Sequence, residues 1–156
     1  MKIAREVIRP YWLTGAIILL AVFFVISSLR FYQHVPIASW GDTVTYHSMS
    51  RASLTDPALW TGRYPMTTGL FHKICSAQPG FIADLQVGLA MFSWIMLGLA
   101  VVIIVQIRML KLVAFAIIMG LGLTTSIISM NKILLSENYS NSLFVLMTSI
   151  MILLAK

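Results

Sequence analysis

Residues Gly41 to Pro65 read GDTVTYHSMSRASLTDPALWTGRYP, a long polar passage set between apolar runs. Of the 156 residues, 59% are hydrophobic and only 10% are charged, and the mean hydropathy is +0.90. A soluble domain of this size has too small an interior to hide so much apolar surface, so the composition implies a membrane protein. The polar passage is where such a chain meets water.

Working outward, the chain reads as an all-α, polytopic membrane protein with four transmembrane helices and short interfacial helices in the first outer loop. Tyr11 and Trp12 open an apolar run to Leu29 where an interfacial aromatic belt would sit, giving a first span at 11–29. The run of about 17 residues exceeds a signal-peptide core and no small-residue cleavage site follows, so it reads as a retained anchor. The loop covers 30–80. The second span is expected at 81–107, where the run after Asp84 stays apolar for about 21 residues, enough to cross a ~30 Å hydrocarbon core. Arg108 and Lys111 bracket a turn, and a third span follows at 112–130, with Gly120, Gly122, Thr124, Thr125 and Ser126 as small packing residues. A fourth is expected at 133–155. Its purely apolar part, Leu143 to Ala155, is about 13 residues or roughly 20 Å. Part of Ser136–Ser142 must then lie at membrane depth, and Glu137 should face protein or a wet cavity.

Three helix-start signals follow one another in the loop. Asp42 can cap a helix running toward Leu54, Asp56–Pro57 can start a second that stops at Gly62, and Pro65 can start a third. In the third, Met66, Leu70, Phe71 and Ile74 recur at helical spacing, so that side is expected on lipid headgroups with His72 and Lys73 toward water. The net charge of +6 lies at the ends of apolar runs and reads as a topology signal, not as nucleic-acid binding. Lys2, Arg5, Arg9, Arg108, Lys111 and Lys156 fall in short segments on one side, against Arg30, Arg51, Arg63, Lys73 and Lys132 on the other, mostly diluted over a long loop. Both termini are therefore expected in the cytoplasm and the loop outside.

Several residues carry candidate chemistry, each with a plainer structural reading beside it. Asp42 is either a general base at the membrane surface or a helix cap. Arg63 suits a lipid phosphate through its planar fork, or simply snorkels at the interface. Glu137, Ser140 and Asn141 form one helical face that either lines a site or hydrogen-bonds between helices. His47 and His72 are about 25 residues apart with no ligand-spaced partner, so they read as exposed loop histidines, with no metal site. Cys75 is the single cysteine, which excludes an internal disulfide. Asn138–Tyr139–Ser140 matches a glycosylation sequon but falls where a helix enters the bilayer.

Taken in order, these features resemble the amino-terminal module of the C-type glycosyltransferases, the polytopic enzymes that use polyprenyl-phosphate sugars, including protein O-mannosyltransferases and aminoarabinose transferases. A D-x-x-x-Y pattern in the first outer loop is seen here as Asp42 and Tyr46, and an R-x-P pattern as Arg63–Tyr64–Pro65. Gln86 and Ser136–Glu137 are similar to further family positions. No one element is specific; the ordered set spans Gly41 to Asn141, about two thirds of the chain. The resemblance implies transfer of a sugar from a polyprenyl-phosphate donor to an acceptor at the outer membrane face, in a bacterial plasma membrane. Asp42 would be the catalytic base or an acid near a divalent cation. Tyr46, Arg63, Gln86 and Glu137 would bind substrate.

Members of that family continue for several further helices. The chain is therefore expected to be the front part of a larger transferase, inactive alone, with a second chain or a continuation supplying the missing helices around the lipid-linked donor. The alternative is a non-catalytic four-helix assembly or lipid-binding subunit, which should tolerate loss of the Asp42 charge. A transporter or channel subunit fits less well, because no proline breaks a span and no charge lies at the centre of one.

Overall fold

The computed structural model describes residues 2–38, 41–57, 60, 66–75, 78–134 and 136–156, with the side chains of 2–10, 42, 66, 67, 136 and 138 left out. The described residues form seven helices: α1 (Lys2–His34), α2 (Gly41–Arg51), α3 (Met66–Ile74), α4 (Pro79–Ile104), α5 (Arg108–Gly122), α6 (Thr125–Met130) and α7 (Ser136–Leu154). Tyr11–His34 and Pro79–Ile104 are long and apolar enough to cross a membrane, at 24 and 26 residues with mean hydropathies of 2.4 and 2.5. Only 11% and 28% of their most apolar windows are buried. Ile18, Leu19, Val22, Phe23 and Ile26 leave one side of α1 apolar and exposed, a surface suited to lipid and not to water.

α4 organises the molecule. It packs most extensively on α7 and next on α5, while α1 lies on α5 and touches α4 and α6 lightly. Phe24, Phe115 and Met119 form the mid-height core, with Ile17, Leu20, Met91 and Trp94 around them. Glycine permits the close approach at two points. A Cβ on Gly98 would lie 2.8 Å from the Phe115 ring, and one on Gly122 would lie 3.0 Å from Phe24 and 3.1 Å from Trp94. The buried face of α7, Ser142, Val145 and Ser149, is its α4-facing side, and the Ser149 hydroxyl is satisfied by the Val145 carbonyl at 2.8 Å.

The helix boundaries depart from expectation where backbone chemistry outweighs hydropathy. α1 continues past Leu29 to His34 because no glycine or proline intervenes before Pro36. The expected third span is two helices, of 15 and 6 residues. At the break Thr124 is extended (φ −62, ψ 141). Its hydroxyl donates to the Leu121 carbonyl at 2.9 Å, and its own carbonyl receives the amides of Ile127 and Ile128. A threonine that bonds back to the preceding turn competes with helix continuation, here just after Gly120 and Gly122. α7 starts at Ser136, not 133, because Lys132–Leu134 pair with Ala38: the Ala38 amide donates to the Lys132 carbonyl and the Leu134 amide to the Ala38 carbonyl, each at 3.1 Å.

That pairing brings the ends of α1 and α6 to one end of the helices, beside the start of α7. The buried Asn131 Nδ2 donates to the Tyr32 hydroxyl, and Lys132 Nζ donates to the Val35 carbonyl at 3.0 Å. Two expected loop helices are present as α2 and α3. The middle one, from Asp56–Pro57 to Gly62, lies for most of its length outside the described residues, as do Arg63, Tyr64 and Pro65. The expected facing of α3 is corrected. His72 is 1% exposed and Ile74 is 79% exposed, so the buried stripe is Thr68, His72 and Cys75, not the apolar one. Lys73 is held by the carbonyls of Ser50, at 3.2 Å, and Ala52. A cation at the carboxyl end of α2 both satisfies free carbonyls and complements the helix dipole.

Candidate functional site

The polar passage folds into a cap, α2 against α3, seated over the first turns of α4. Three contacts fix it. Cys75 packs with Ile82, Ala83 and Leu134, with Phe71 beside them. The Thr43 hydroxyl donates to the Leu134 carbonyl at 2.9 Å. The Phe71 ring lies 5.0 Å from the Tyr139 ring of α7.

Between cap and helices lies a pocket of about 450 Å³, lined by Ile37, Thr43, Val44, His47, His72, Pro79, Ile82 and Leu134. Its walls are aliphatic, and its three polar residues, Thr43, His47 and His72, all come from the cap. The Nε2 atom of His72 is buried and has no hydrogen-bond partner among the described residues. Burial lowers the His72 pKa from its ordinary value, and the neighbouring His47 acts in the same direction. At neutral pH the imidazole is uncharged.

The residues singled out from sequence fall in different places. Asp42 is in the first turn of α2, immediately before the pocket residue Thr43, and its side chain lies outside the described residues, as does the whole of Arg63. Tyr46, one turn on, is 2% exposed, with its ring 5.8 Å from that of His72; it is packed into the α2–α3 interface. Gln86 is buried on α4. Glu137 stands in the first turn of α7 with an exposed side chain that is nonetheless not without an interaction partner. The buried face of α7 is the Ser142–Val145–Ser149 side, so the Glu137–Ser140–Asn141 face turns outward.

The expectation of His72 as an exposed loop residue is corrected by its burial. Its signal was present in the i, i+4, i+7 spacing of Thr68, His72 and Cys75, a stripe of small or polar residues that ranking by hydropathy passes over. Among the described residues no group of three or more His, Cys, Asp or Glu side chains gathers to hold a metal ion. The architecture is therefore an all-helical one, with two membrane-length helices and a helical cap over an apolar, histidine-bearing pocket. No protein-family model, no curated protein and no solved structure matches the chain.

The buried imidazole predicts an acid-sensitive cap. Unfolding exposes His72 and lets it take a proton at its ordinary pKa, while the folded form resists protonation. This contribution to stability is complete above about pH 6.5 and is lost as the pH falls through that value. Unfolding midpoints of the detergent-solubilised protein between pH 8 and pH 5 check this. His72→Phe should flatten the decline below about pH 6.5, and an unchanged decline would assign the sensitivity to other groups.

Proposed function

We propose that the chain is the membrane module of a transferase that moves a sugar from a polyprenyl-phosphate donor to an acceptor at the outer membrane face. In this reading α1, α4, the α5–α6 pair and α7 are four passes through a bacterial plasma membrane, with both termini cytoplasmic and α2–α3 outside. The observation that carries it is the cap: the loop acid Asp42 stands next in sequence to the lining of a pocket roofed by α2 and α3 and floored by the start of α4. An acid one residue from the lining of a partly water-excluding pocket suits general-base transfer. Asp42 takes the acceptor proton, and Arg63 and Glu137 serve donor and acceptor. Tyr46 and Gln86, expected to bind substrate, are buried and outside the described lining of this pocket.

The lipid-binding alternative draws on the pocket's aliphatic walls, which suit a hydrocarbon with no chemistry attached. Membranes from cells carrying the gene and from cells lacking it separate the two, when supplied with radiolabelled polyprenyl-phosphate sugars. Donor consumption should fall on deletion and return with the wild-type gene. Equal consumption in both membranes overturns the transferase reading.

Cys75 is 1% exposed and burial raises its thiol pKa, so the native thiol should react slowly with any reagent until the protein is unfolded. Sidedness is better read at the exposed Ser53. In a Cys75→Ser background, Ser53→Cys should react with an impermeant thiol reagent added to intact cells. Reaction only from the cytoplasmic side inverts the topology.

A further inference from the structure

The pocket's chemistry points to a particular class of ligand. Five lining residues, Ile37, Val44, Pro79, Ile82 and Leu134, are apolar, and a free saccharide there would turn hydroxyls against carbon with no partner. The described lining contains neither Lys nor Arg, so a phosphate group would meet no cation among those residues. What the lining does offer is a hydrogen-bonding pole on the cap side: Thr43, His47, and His72 with its buried Nε2, unpartnered among the described residues. Buried polar groups are ordinarily satisfied, and an orphaned one calls for a missing partner. A neutral imidazole nitrogen is served by a hydroxyl, which can donate or accept. Pro79 and Ile82 belong to the first turn of a membrane-length helix, so a ligand dissolved in lipid has a short way to travel.

We propose that this pocket binds an apolar alcohol, its chain against Ile37, Val44, Ile82 and Leu134 and its hydroxyl at His72, and that this alcohol is the sugar acceptor. The second clause rests on the transferase reading. The acceptor oxygen would bond to the anomeric carbon of the polyprenyl-phosphate sugar as the bond from that carbon to the phosphate oxygen breaks. The hydroxyl proton passes to the Asp42 carboxylate, and polyprenyl phosphate leaves with the bonding electron pair. The acceptor is then a lipid hydroxyl, and not a polar sugar or a protein side chain.

The test uses the full chain in lipid nanodiscs with two photoreactive probes, a diazirine-bearing sixteen-carbon alcohol and its analogue with hydrogen in place of the hydroxyl. Labelling is mapped by mass spectrometry. In the wild type the alcohol should label the segments around Val44 and Ile82 about two- to tenfold more than the deoxy probe, the value of one hydrogen bond. His72→Phe keeps a ring against Tyr46 and should bring the ratio to about one. Val44→Trp, at an exposed rim position (73%), should block labelling by both probes; it carries the test if His72→Phe fails to fold. A ratio of one in the wild type, a ratio retained in His72→Phe, or labelling untouched by Val44→Trp overturns the proposal. Failure of the transferase reading looks different: alcohol labelling persists, but sugar transfer is indifferent to Asp42. Undiminished transfer to a water-soluble acceptor by Val44→Trp removes the acceptor claim alone.

Discussion

On the transferase proposal, Asp42→Asn is expected to lower sugar transfer in membranes containing the protein by roughly 10²- to 10⁴-fold, with insertion and yield unchanged. Asn keeps nearly the shape of Asp and most of its ability to bond free amides at a helix start, but it cannot hold a proton taken from an acceptor hydroxyl. α2 begins at Gly41, which puts Asp42 inside the first turn. Loss of its charge there costs about 0.3 to 1 kcal/mol of interaction with the helix dipole, a small change beside the catalytic effect. Asp56→Asn is the matched control. Asp56 precedes a proline at the start of a turn and lies outside the described pocket lining, so its neutralisation should be nearly silent. Wild-type transfer by Asp42→Asn would end the catalytic assignment and pass it to Glu137, whose carboxylate is exposed at the start of α7.

The parts of the fold legible in the sequence were those that depend on one variable. Length and hydropathy alone mark α4, and proline and acid signals mark the two loop helices to within a few residues. What was not legible depends on pairs of residues far apart in the chain. The break at Thr124 needs its hydroxyl to find the Leu121 carbonyl, and Gly120 and Gly122 had read equally well as packing residues in an unbroken span. The start of α7 was misplaced because Lys132–Leu134 bond to Ala38, a partner nearly a hundred residues away. In α3 the hydropathy stripe chose the wrong face: Thr68 and His72 are buried, with the His72 ring 5.8 Å from that of Tyr46 on α2, while Ile74 is exposed. The candidate site shows the same limit. Asp42, which precedes the pocket residue Thr43, is singled out by its motif, and its side chain lies outside the described residues. The histidine within the pocket was dismissed, since a buried imidazole is visible only once the helix above it is placed.

Gly98 gives the sharpest packing test. Its missing Cβ leaves room for the Phe115 ring, and an added Cβ would sit 2.8 Å from two ring carbons and 3.0 Å from the Met119 methyl. Phe115 is fully buried in the cluster that joins α1, α4 and α5, so the ring has nowhere to retreat without moving Phe24 or Met119. Gly98→Val is therefore expected to destabilise the bundle by about 1 to 3 kcal/mol, the usual range for overpacking. Small residues where helices cross at close range are how membrane bundles pack without a hydrophobic driving force between spans. Gly88 lies on the same helix with nothing within 4 Å of a built Cβ, and Gly88→Val should be tolerated. Phe115→Leu removes the ring atoms that clash. Alone it leaves a cavity and destabilises, but combined with Gly98→Val it should restore part of the lost stability, so that the double variant is more stable than Gly98→Val by itself. Unfolding in rising SDS, followed by far-UV circular dichroism and by the reactivity of the buried Cys75 thiol, reads all four proteins. If Gly98→Val unfolds with the wild type, or if Phe115→Leu only adds to its damage, α4 and α5 do not meet at Gly98 and the order of helices around α4 is wrong.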